Sequence, residues 1–264
     1  MKKSLIILVL LILSLAVSIA ALAATPEEKG LSIAKEADAR DAGFGDSTVS
    51  MVMTLKNRHG QESIRQIRTR TLEVEGDGDK SMSIFDNPRD VKGTAFLTYT
   101  HKSGDDDQWL YLPALKRVKR ISSRNKSGSF MGSEFSYEDI ASQEVEKYTY
   151  KWIRDEVLDG KESFVVEFYP VDQKNSGYTR RVTWIDKEEY RVWRVEYFDR
   201  KDSHLKTLTI SSYEKYNKKF WRAGDMQMEN LQNGKSTLLV FAGYKFNTGL
   251  KPADFSQNSL KRAR

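Results

Sequence analysis

The chain has 264 residues, no cysteine and a formal net charge of +6. The lack of cysteine excludes disulfides, thiolate metal sites, cysteine nucleophiles and the residue through which a bacterial lipoprotein is lipidated. Charged residues make up 30% of the chain, with acids and bases intermixed. This pattern is typical of the solvated face of a sheet and argues against a nucleic-acid-binding surface.

The N-terminus has the three parts of a secretory signal peptide: a basic start, an apolar stretch and a small-residue cleavage site. Lys2 and Lys3 supply the charge, and Ala21 and Ala23 are the small residues before the cut. Cleavage of the first 23 residues removes two of the six net positive charges and leaves +4 on a single mature domain, 24–264. We therefore predict a periplasmic protein that is not lipid-anchored. The alternative is an uncleaved membrane anchor.

The first predicted element of the mature chain is an amphipathic helix over residues 26–39. Thr25 is suited to cap this helix, and Glu28 stands three residues later, as in a capping box. Leu31 and Ala34 follow at helical spacing. The helix is expected to end before the glycine-containing segment that starts at residue 43.

From there the chain changes to short segments rich in β-branched and aromatic residues, separated by Gly, Asp, Asn and Lys, which is typical of strands and hairpin turns. The predicted strands cover residues 47–57, 62–74, 80–86, 93–101, 108–112, 117–122, 145–156, 162–170, 178–186, 190–199, 204–215, 219–230 and 235–247. The loops between them are short and hairpin-like. The pattern predicts a mainly β, antiparallel meander in one domain.

One segment interrupts this pattern, residues 123–143, which combines glycines with Phe130, Met131 and Phe135. We interpret it as a loop plus a short helix. A long insertion in a tight meander is often functional, although a segment that merely covers one end of the core is the alternative.

Candidate catalytic and metal-binding residues are few. His59, His101 and His204 lie in or beside predicted turns, and no pair has the i, i+4 spacing of a helical zinc site. The acidic run 105–107 lacks the spaced ligands of a calcium loop. Motifs for nucleophilic or nucleotide-dependent catalysis are missing, so we expect no metal, no cofactor and no enzyme activity. A carboxylate pair that meets only in space stays open as a hydrolase site.

Large apolar side chains recur at alternating strand positions, which predicts one apolar face on the sheet. The simplest interpretation is a core, but one helix and one lid leave room for an apolar cavity. Methionine side chains repack easily around different acyl chains. The strand residues that we expect to contact lipid are Met51, Met53, Met82, Ile84, Phe96, Trp109, Tyr111, Tyr150 and Trp152.

Three segments carry a family resemblance: residues 85–97, residues 108–121 with a Leu-Pro strand end before a basic stretch, and residues 128–140. They resemble the LolA-like periplasmic carriers, in particular the outer-membrane lipoprotein-sorting proteins. The resemblance implies a curved antiparallel sheet that forms an incomplete barrel, with an N-terminal helix and a short helical lid over its concave face. It also implies that Phe130, Met131 and Phe135 form a lid or rim at a lipid cavity.

The resemblance further implies a non-catalytic carrier, monomeric when free, that moves lipid or lipoprotein acyl chains towards the outer membrane. An inner-membrane transporter of lipids or hydrophobic compounds is the implied protein partner. The alternative is an envelope sensor or adaptor that uses the same fold to dock on such a transporter. The basic segment 116–120 is suited either to protect a strand edge or to meet anionic head groups.

Overall fold

A computed structural model describes residues 24–263, and the predicted signal peptide, residues 1–23, lies outside the described residues. Within residues 24–263, no helix is both long enough and apolar enough to span a membrane.

The chain begins with helix α1, Pro26–Asp41, which confirms the helix predicted for residues 26–39. The hydroxyl of Thr25 accepts a hydrogen bond from the Glu28 amide at 3.1 Å, and the Glu28 carboxylate accepts one from the Thr25 amide at 2.9 Å. This reciprocal cap satisfies two amides that the helix itself leaves without partners. Ile33 lies on the buried side of α1, so the helix presents a small apolar face to the sheet.

Strands form most of the remaining chain, as the alternating pattern predicts. Their bounds are β1 Asp46–Lys56, β2 Glu62–Leu72, β3 Lys80–Asn87, β4 Ala95–Tyr99, β5 Asp107–Leu112, β6 Arg117–Ile121, β7 Tyr148–Leu158, β8 Lys161–Pro170, β9 Tyr178–Asp186, β10 Val192–Asp199, β11 His204–Ser211, β12 Glu214–Tyr216, β13 Phe220–Arg222, β14 Asp225–Asn230 and β15 Ser236–Phe246. Two short helices, α2 Tyr137–Ile140 and α3 Gln257–Arg262, complete the secondary structure described below.

Thirteen of the strands form one antiparallel sheet in the order β6-β5-β4-β3-β2-β1-β15-β14-β11-β10-β9-β8-β7. Each half is a meander, and β1 pairs with β15 to join the halves. Within the described residues, the edge strands β6 and β7 do not pair with each other, so the sheet stays open. This arrangement confirms the predicted incomplete barrel.

The two free edges are consecutive along the chain, and residues 122–147 connect them. We call this segment the strap; it contains α2 and confirms the loop and short helix predicted for residues 123–143. Phe130 and Phe135 of the strap are buried in the main apolar cluster of the sheet. We call the face covered by the strap and α1 the inner face, and the opposite one the outer face.

Strand register divides the apolar residues between these two faces. Residues directly opposite in an antiparallel pair lie on the same face. Met82 pairs with Leu97 and Leu97 pairs with Trp109, whereas Phe96 pairs with Leu110. Phe96 belongs to the inner cluster and Met82 to an outer one. The expectation that all the apolar strand residues share one face is therefore wrong, because adjacent positions in β4 point in opposite directions.

The outer apolar patch is covered by the C-terminal segment, residues 252–262. Phe255 and Leu260 from this segment are fully buried in a cluster with Met82 and Ile84. The Tyr99 hydroxyl donates a hydrogen bond to the Phe255 carbonyl. Sequence reasoning placed no element after residue 247, so this covering segment is an addition to the predicted fold.

Two predicted strands are each divided by a bend. The segment 204–215 becomes β11 and β12, and 219–230 becomes β13 and β14. Ser212 has a φ of 56°, and a side chain at Gly224 would lie 2.8 Å from the Ser212 carbonyl oxygen. This close backbone approach lets β12 and β13 leave the sheet as a separate hairpin, which becomes one wall of the main cavity.

Candidate functional site

The part of the inner face beneath the strap is filled by aromatic side chains of the strap. The Phe130 ring centroid lies 5.1 Å from that of Phe96 and 6.1 Å from that of Phe85. The Tyr137 and Phe96 ring centroids lie 5.4 Å apart. Phe130 is only 1% exposed. The strap was expected to be a lid over an empty cavity. In this conformation its aromatic side chains fill the space beneath it.

Hydrogen bonds and an ion pair connect the strap to both halves of the sheet. Lys206 Nζ donates to the Glu134 carbonyl and to the Asp139 carboxylate, both at 2.7 Å. Arg65, on the other half, donates to the Met131 carbonyl. Burial alone would raise the pKa of Asp139, but the nearby Lys206 and Arg181 outweigh it and hold that pKa below its ordinary value. Asp139 is therefore an anion held between cations.

Arg181 of β9 is a second buried cation beside Asp139. Its Nη2 atom lies 3.9 Å from Oδ1 of Asp139. Its guanidinium carbon lies 5.1, 5.1 and 5.2 Å from the ring centroids of Tyr148, Tyr178 and Tyr197. The Tyr178 hydroxyl donates to the Asp139 carboxylate at 2.9 Å. These contacts form a polar centre on the inner face, and its charges hold α2 against β9 and β11.

The other part of the inner face, beside α1, is hollow. A cavity of about 820 Å³ lies between α1, the β12–β13 hairpin and the central strands; we call it the hairpin cavity. Its apolar and aromatic wall residues include Phe44, Val49, Val192, Tyr213, Trp221, Met226, Phe241 and Tyr244. Burial raises the pKa of Tyr213 and of Tyr244, so both phenols are neutral near pH 7. The volume lies in the range of small-molecule sites in proteins.

Cations outnumber acids around the hairpin cavity. The basic residues that line it are Arg40, Arg191, Lys215, Lys218, Lys219 and Arg222, and the acidic residues are Asp41, Asp79 and Glu189. Several of the lysines lie on or beside the hairpin, and Arg191 stacks over the Trp221 ring at 4.3 Å. The cavity thus combines an apolar interior with a basic, aromatic margin.

A second cavity, of about 660 Å³, adjoins the first. The residues that line both are Ala37, Asp41, Phe44, Asp79, Ser142, Val192 and Met226. We call the second cavity the acidic cavity. Its acidic lining residues are Asp38, Asp41, Glu73, Glu75, Asp77, Asp79 and Glu144, and Lys102 is its basic lining residue. The two neighbouring cavities therefore carry opposite charge.

Asp79 is the most perturbed of these acids. Burial, reinforced by the negative charges of Glu144 and Glu73, raises the pKa of Asp79 to about 7. Burial also raises the pKa of Glu144. Gly78 explains why these groups are so close, because a side chain there would lie 2.8 Å from a Glu144 carboxylate oxygen. The floor of the acidic cavity is thus protonated in part near neutral pH.

The residues predicted to contact lipid fall into three groups. The inner cluster contains Met51, Met53, Phe96, Phe130, Met131 and Phe135. The outer patch under the C-terminal segment contains Met82, Ile84, Trp109 and Tyr111. The cluster packed against α1 contains Tyr150 and Trp152. Of these residues, Tyr150 lines one of the two large cavities, the acidic one.

The walls of the hairpin cavity were missed by sequence reasoning. Phe44 lies just before β1, Val192 begins β10, and Trp221 belongs to the detached hairpin. A run of aromatics in β15, Phe241 and Tyr244 among them, was the available signal. The stacked rings of Phe241 and Tyr244 have centroids 6.2 Å apart, which gives the cavity a rigid wall.

Several polar residues singled out in the sequence have protein partners. Asp106 pairs with Lys147 at 2.6 Å, and Asp107 pairs with Arg120. His101 Nδ1 lies 2.7 Å from an Asp77 carboxylate oxygen, and hydrogen bonding to that carboxylate raises the His101 pKa. Across residues 24–263, no group of three or more His, Cys, Asp or Glu residues is arranged to hold a metal ion.

Comparisons with known proteins agree on this architecture. A family model whose description reads "uncharacterized protein" matches residues 77–262. An outer membrane lipoprotein-sorting protein domain from Vibrio parahaemolyticus is 58% identical over 89% of this chain and 100% of its own, with a TM-score of 0.88. A DUF1329 family protein from Desulfovibrio piger is 33% identical over 90% of this chain and 100% of its own, with a TM-score of 0.85.

At fold level, a LolA superfamily protein from Nitrosomonas europaea superposes with a TM-score of 0.71 and 19% identity, over 90% of this chain and 100% of its own. No curated protein sequence matches the chain. The chain therefore belongs to the DUF1329 family, and its fold is that of the LolA superfamily protein.

Proposed function

We propose that this protein is a non-catalytic periplasmic carrier that holds the acyl chains of lipids or lipoproteins and moves them towards the outer membrane. The observation that carries the proposal is the hairpin cavity, about 820 Å³ of space with walls such as Phe44, Met226 and Phe241. The family relative described as a lipoprotein-sorting domain supports it, and the signal-peptide pattern of the first 23 residues supports the periplasmic location.

The energetics of such a cavity favour tight binding. Each methylene group removed from water contributes about 0.8 kcal/mol, so a chain of a dozen methylenes gains on the order of 10 kcal/mol. Release therefore requires a competing process. The strap is suited to this role, because Phe130 packs into the neighbouring part of the inner face, where an acyl chain longer than the hairpin cavity would have to displace it.

Binding is tested with the purified mature protein and a fluorescent fatty acid, together with mass spectrometry of lipids that copurify from the periplasm. Ala37 lines both cavities, so Ala37→Trp should narrow the space between them and weaken fatty-acid binding. Ser32→Trp, at an exposed position of the same helix, is the matched control. Protein that copurifies without lipid and binds no fatty acid would contradict the proposal.

A second candidate is a hydrolase with a dispersed carboxylate site, and the raised pKa values of Asp79 and Glu144 in one cavity favour it. Such a site would cleave acyl esters or glycosidic bonds through one protonated and one ionised carboxyl group. Turnover of chromogenic esters or glycosides that disappears in Asp79→Asn would support the hydrolase over the carrier.

A further inference from the structure

The two large cavities differ in charge although they share four apolar wall residues. Six cations and three acids line the hairpin cavity, whereas seven acids and one lysine line the acidic cavity. A ligand with one charged end would therefore meet attraction at one end of this space and repulsion at the other. The difference in charge therefore favours one orientation of an amphiphilic ligand over the reverse orientation.

Most of the cations at the hairpin cavity already have an acidic partner. Lys215 pairs with Glu189 at 3.0 Å and Arg191 pairs with Asp186 at 2.8 Å; Arg222 pairs with Asp41 and Arg40 with Glu36. These pairs leave little positive charge for a ligand at four of the six positions.

Two lysines differ from the rest. Lys219 Nζ donates to the Ala42 carbonyl at 2.7 Å and has no carboxylate partner within the described part of the chain. Lys218 forms no salt bridge with any of residues 24–263. Both lie in the tight turn of the hairpin, where the Lys219 amide donates to the Tyr216 carbonyl at 2.9 Å. The uncompensated charge is thus concentrated at the turn.

The backbone of this turn is unusual for a lysine. Lys218 has a φ of 57° and Asn217 a φ of 50°. The left-handed conformation suits Asn and Gly but costs other residues about 1 kcal/mol or more. A lysine at this position places an exposed ammonium group at the cavity margin despite that cost.

We propose that the hairpin cavity binds an amphiphile with an anionic head group, a carboxylate or a phosphate, whose head lies at Lys218 and Lys219. The chain then extends inward along Phe44, Val192 and Met226 towards the acidic cavity. The acids of that cavity repel an anionic head and so enforce this orientation. The inference rests on the proposed carrier function and specifies the ligand class of the same site.

The first test compares cis-parinaric acid with its methyl ester, which has the same fluorescent chain without the charge. At pH 8 and low salt, the acid should bind at least about tenfold more tightly, as expected for hydrogen bonds to a charged group. Equal affinity for acid and ester would overturn the head-group assignment and leave the carrier function intact. Failure of both probes to bind would overturn the carrier function, and with it this inference.

The second test locates the head group. The variant K218Q/K219Q should lose the preference for the acid while its affinity for the ester stays unchanged, which also shows that the cavity is still folded. K174Q/K201Q removes the same charge from exposed positions that line neither cavity and should keep the preference. A preference that survives in K218Q/K219Q would overturn the assignment to the turn. Competition by dodecanoate against dodecyl phosphate then decides between carboxylate and phosphate.

Discussion

Lys206 of β11 and Asp139 of α2 form an ion pair of 2.7 Å whose side chains are at most 5% exposed. The pair joins the strap to the sheet across 67 residues of sequence. Because both charges are removed from water, each depends on the other for its solvation. The pair is thus a buried contact on which the position of the strap on the inner face depends, alongside the packing of Phe130.

Removing one partner of this pair should destabilise the protein strongly. Lys206→Met leaves Asp139 with Arg181 at 3.9 Å as its nearest cation, so we expect a loss of about 3–5 kcal/mol in the free energy of unfolding by urea. Lys126→Met breaks a strap salt bridge that is partly exposed and should cost less than about 1 kcal/mol. Similar losses in both variants would show that the buried pair does not hold the strap.

Gly30 allows α1 to dock closely on β7. A side chain there would lie 2.8 Å from the backbone nitrogen of Trp152 and 2.9 Å from that of Lys151. Alanine is the better helix former by about 1 kcal/mol, but we expect Gly30→Ala to lower the melting temperature because backbone cannot move aside cheaply. Ser32→Ala, exposed in the same helix, should raise it slightly. A stabilised Gly30→Ala protein would mean that α1 docks loosely.

Much of the fold could be predicted because its signals are local. The Thr25–Glu28 cap marks the start of α1. A segment rich in β-branched and aromatic residues between turn residues marks β9, Tyr178–Asp186, to the residue. Alternation within one strand does not say which of its two faces is inner. That choice depends on the pairing of Leu97 with Trp109 across a loop, which no local pattern specifies.

The cavity was harder to predict because it has no local signal. Its walls come from α1 at Ala37, from β10 at Val192, from the hairpin at Trp221 and from β14 at Met226. Each residue alone resembles an ordinary core position. Only the bends at Ser212 and Gly224, which detach the hairpin from the sheet, separate these walls and leave space between them.

The C-terminal segment should contribute to stability and not to ligand binding. Phe255 is fully buried against the outer face, next to Met82 and Leu97, so Phe255→Ala should cost about 3–5 kcal/mol in urea unfolding. Binding of cis-parinaric acid under native conditions should be unchanged, since the outer face lies across the sheet from the hairpin cavity. Leu115→Ala, at a position 66% exposed, is the control that should alter neither property. A specific loss of binding in Phe255→Ala would place a ligand site on the outer face.

Asp79 should make stability fall as pH rises. Its pKa is raised to about 7 by burial and by the neighbouring Glu144 and Glu73, against 3.8 for the unperturbed group. Between these two values the folded state binds more protons than the unfolded state, so the free energy of unfolding decreases with pH and the full penalty is present above pH 7. Asp79→Asn keeps the shape of the side chain but removes the charge. We therefore expect it to stabilise the protein at pH 8 by up to about 4 kcal/mol and to have little effect below pH 4.

Urea unfolding at pH 4 and pH 8 measures this difference directly. Asp105→Asn, at an exposed position, is the matched control and should change stability little at either pH. A gain in Asp79→Asn that is the same at both pH values would show that the carboxyl group is not desolvated in the folded state. In that case the amide would stabilise the protein through packing or hydrogen bonding. Asp79 would then not be a destabilising charge in the acidic cavity.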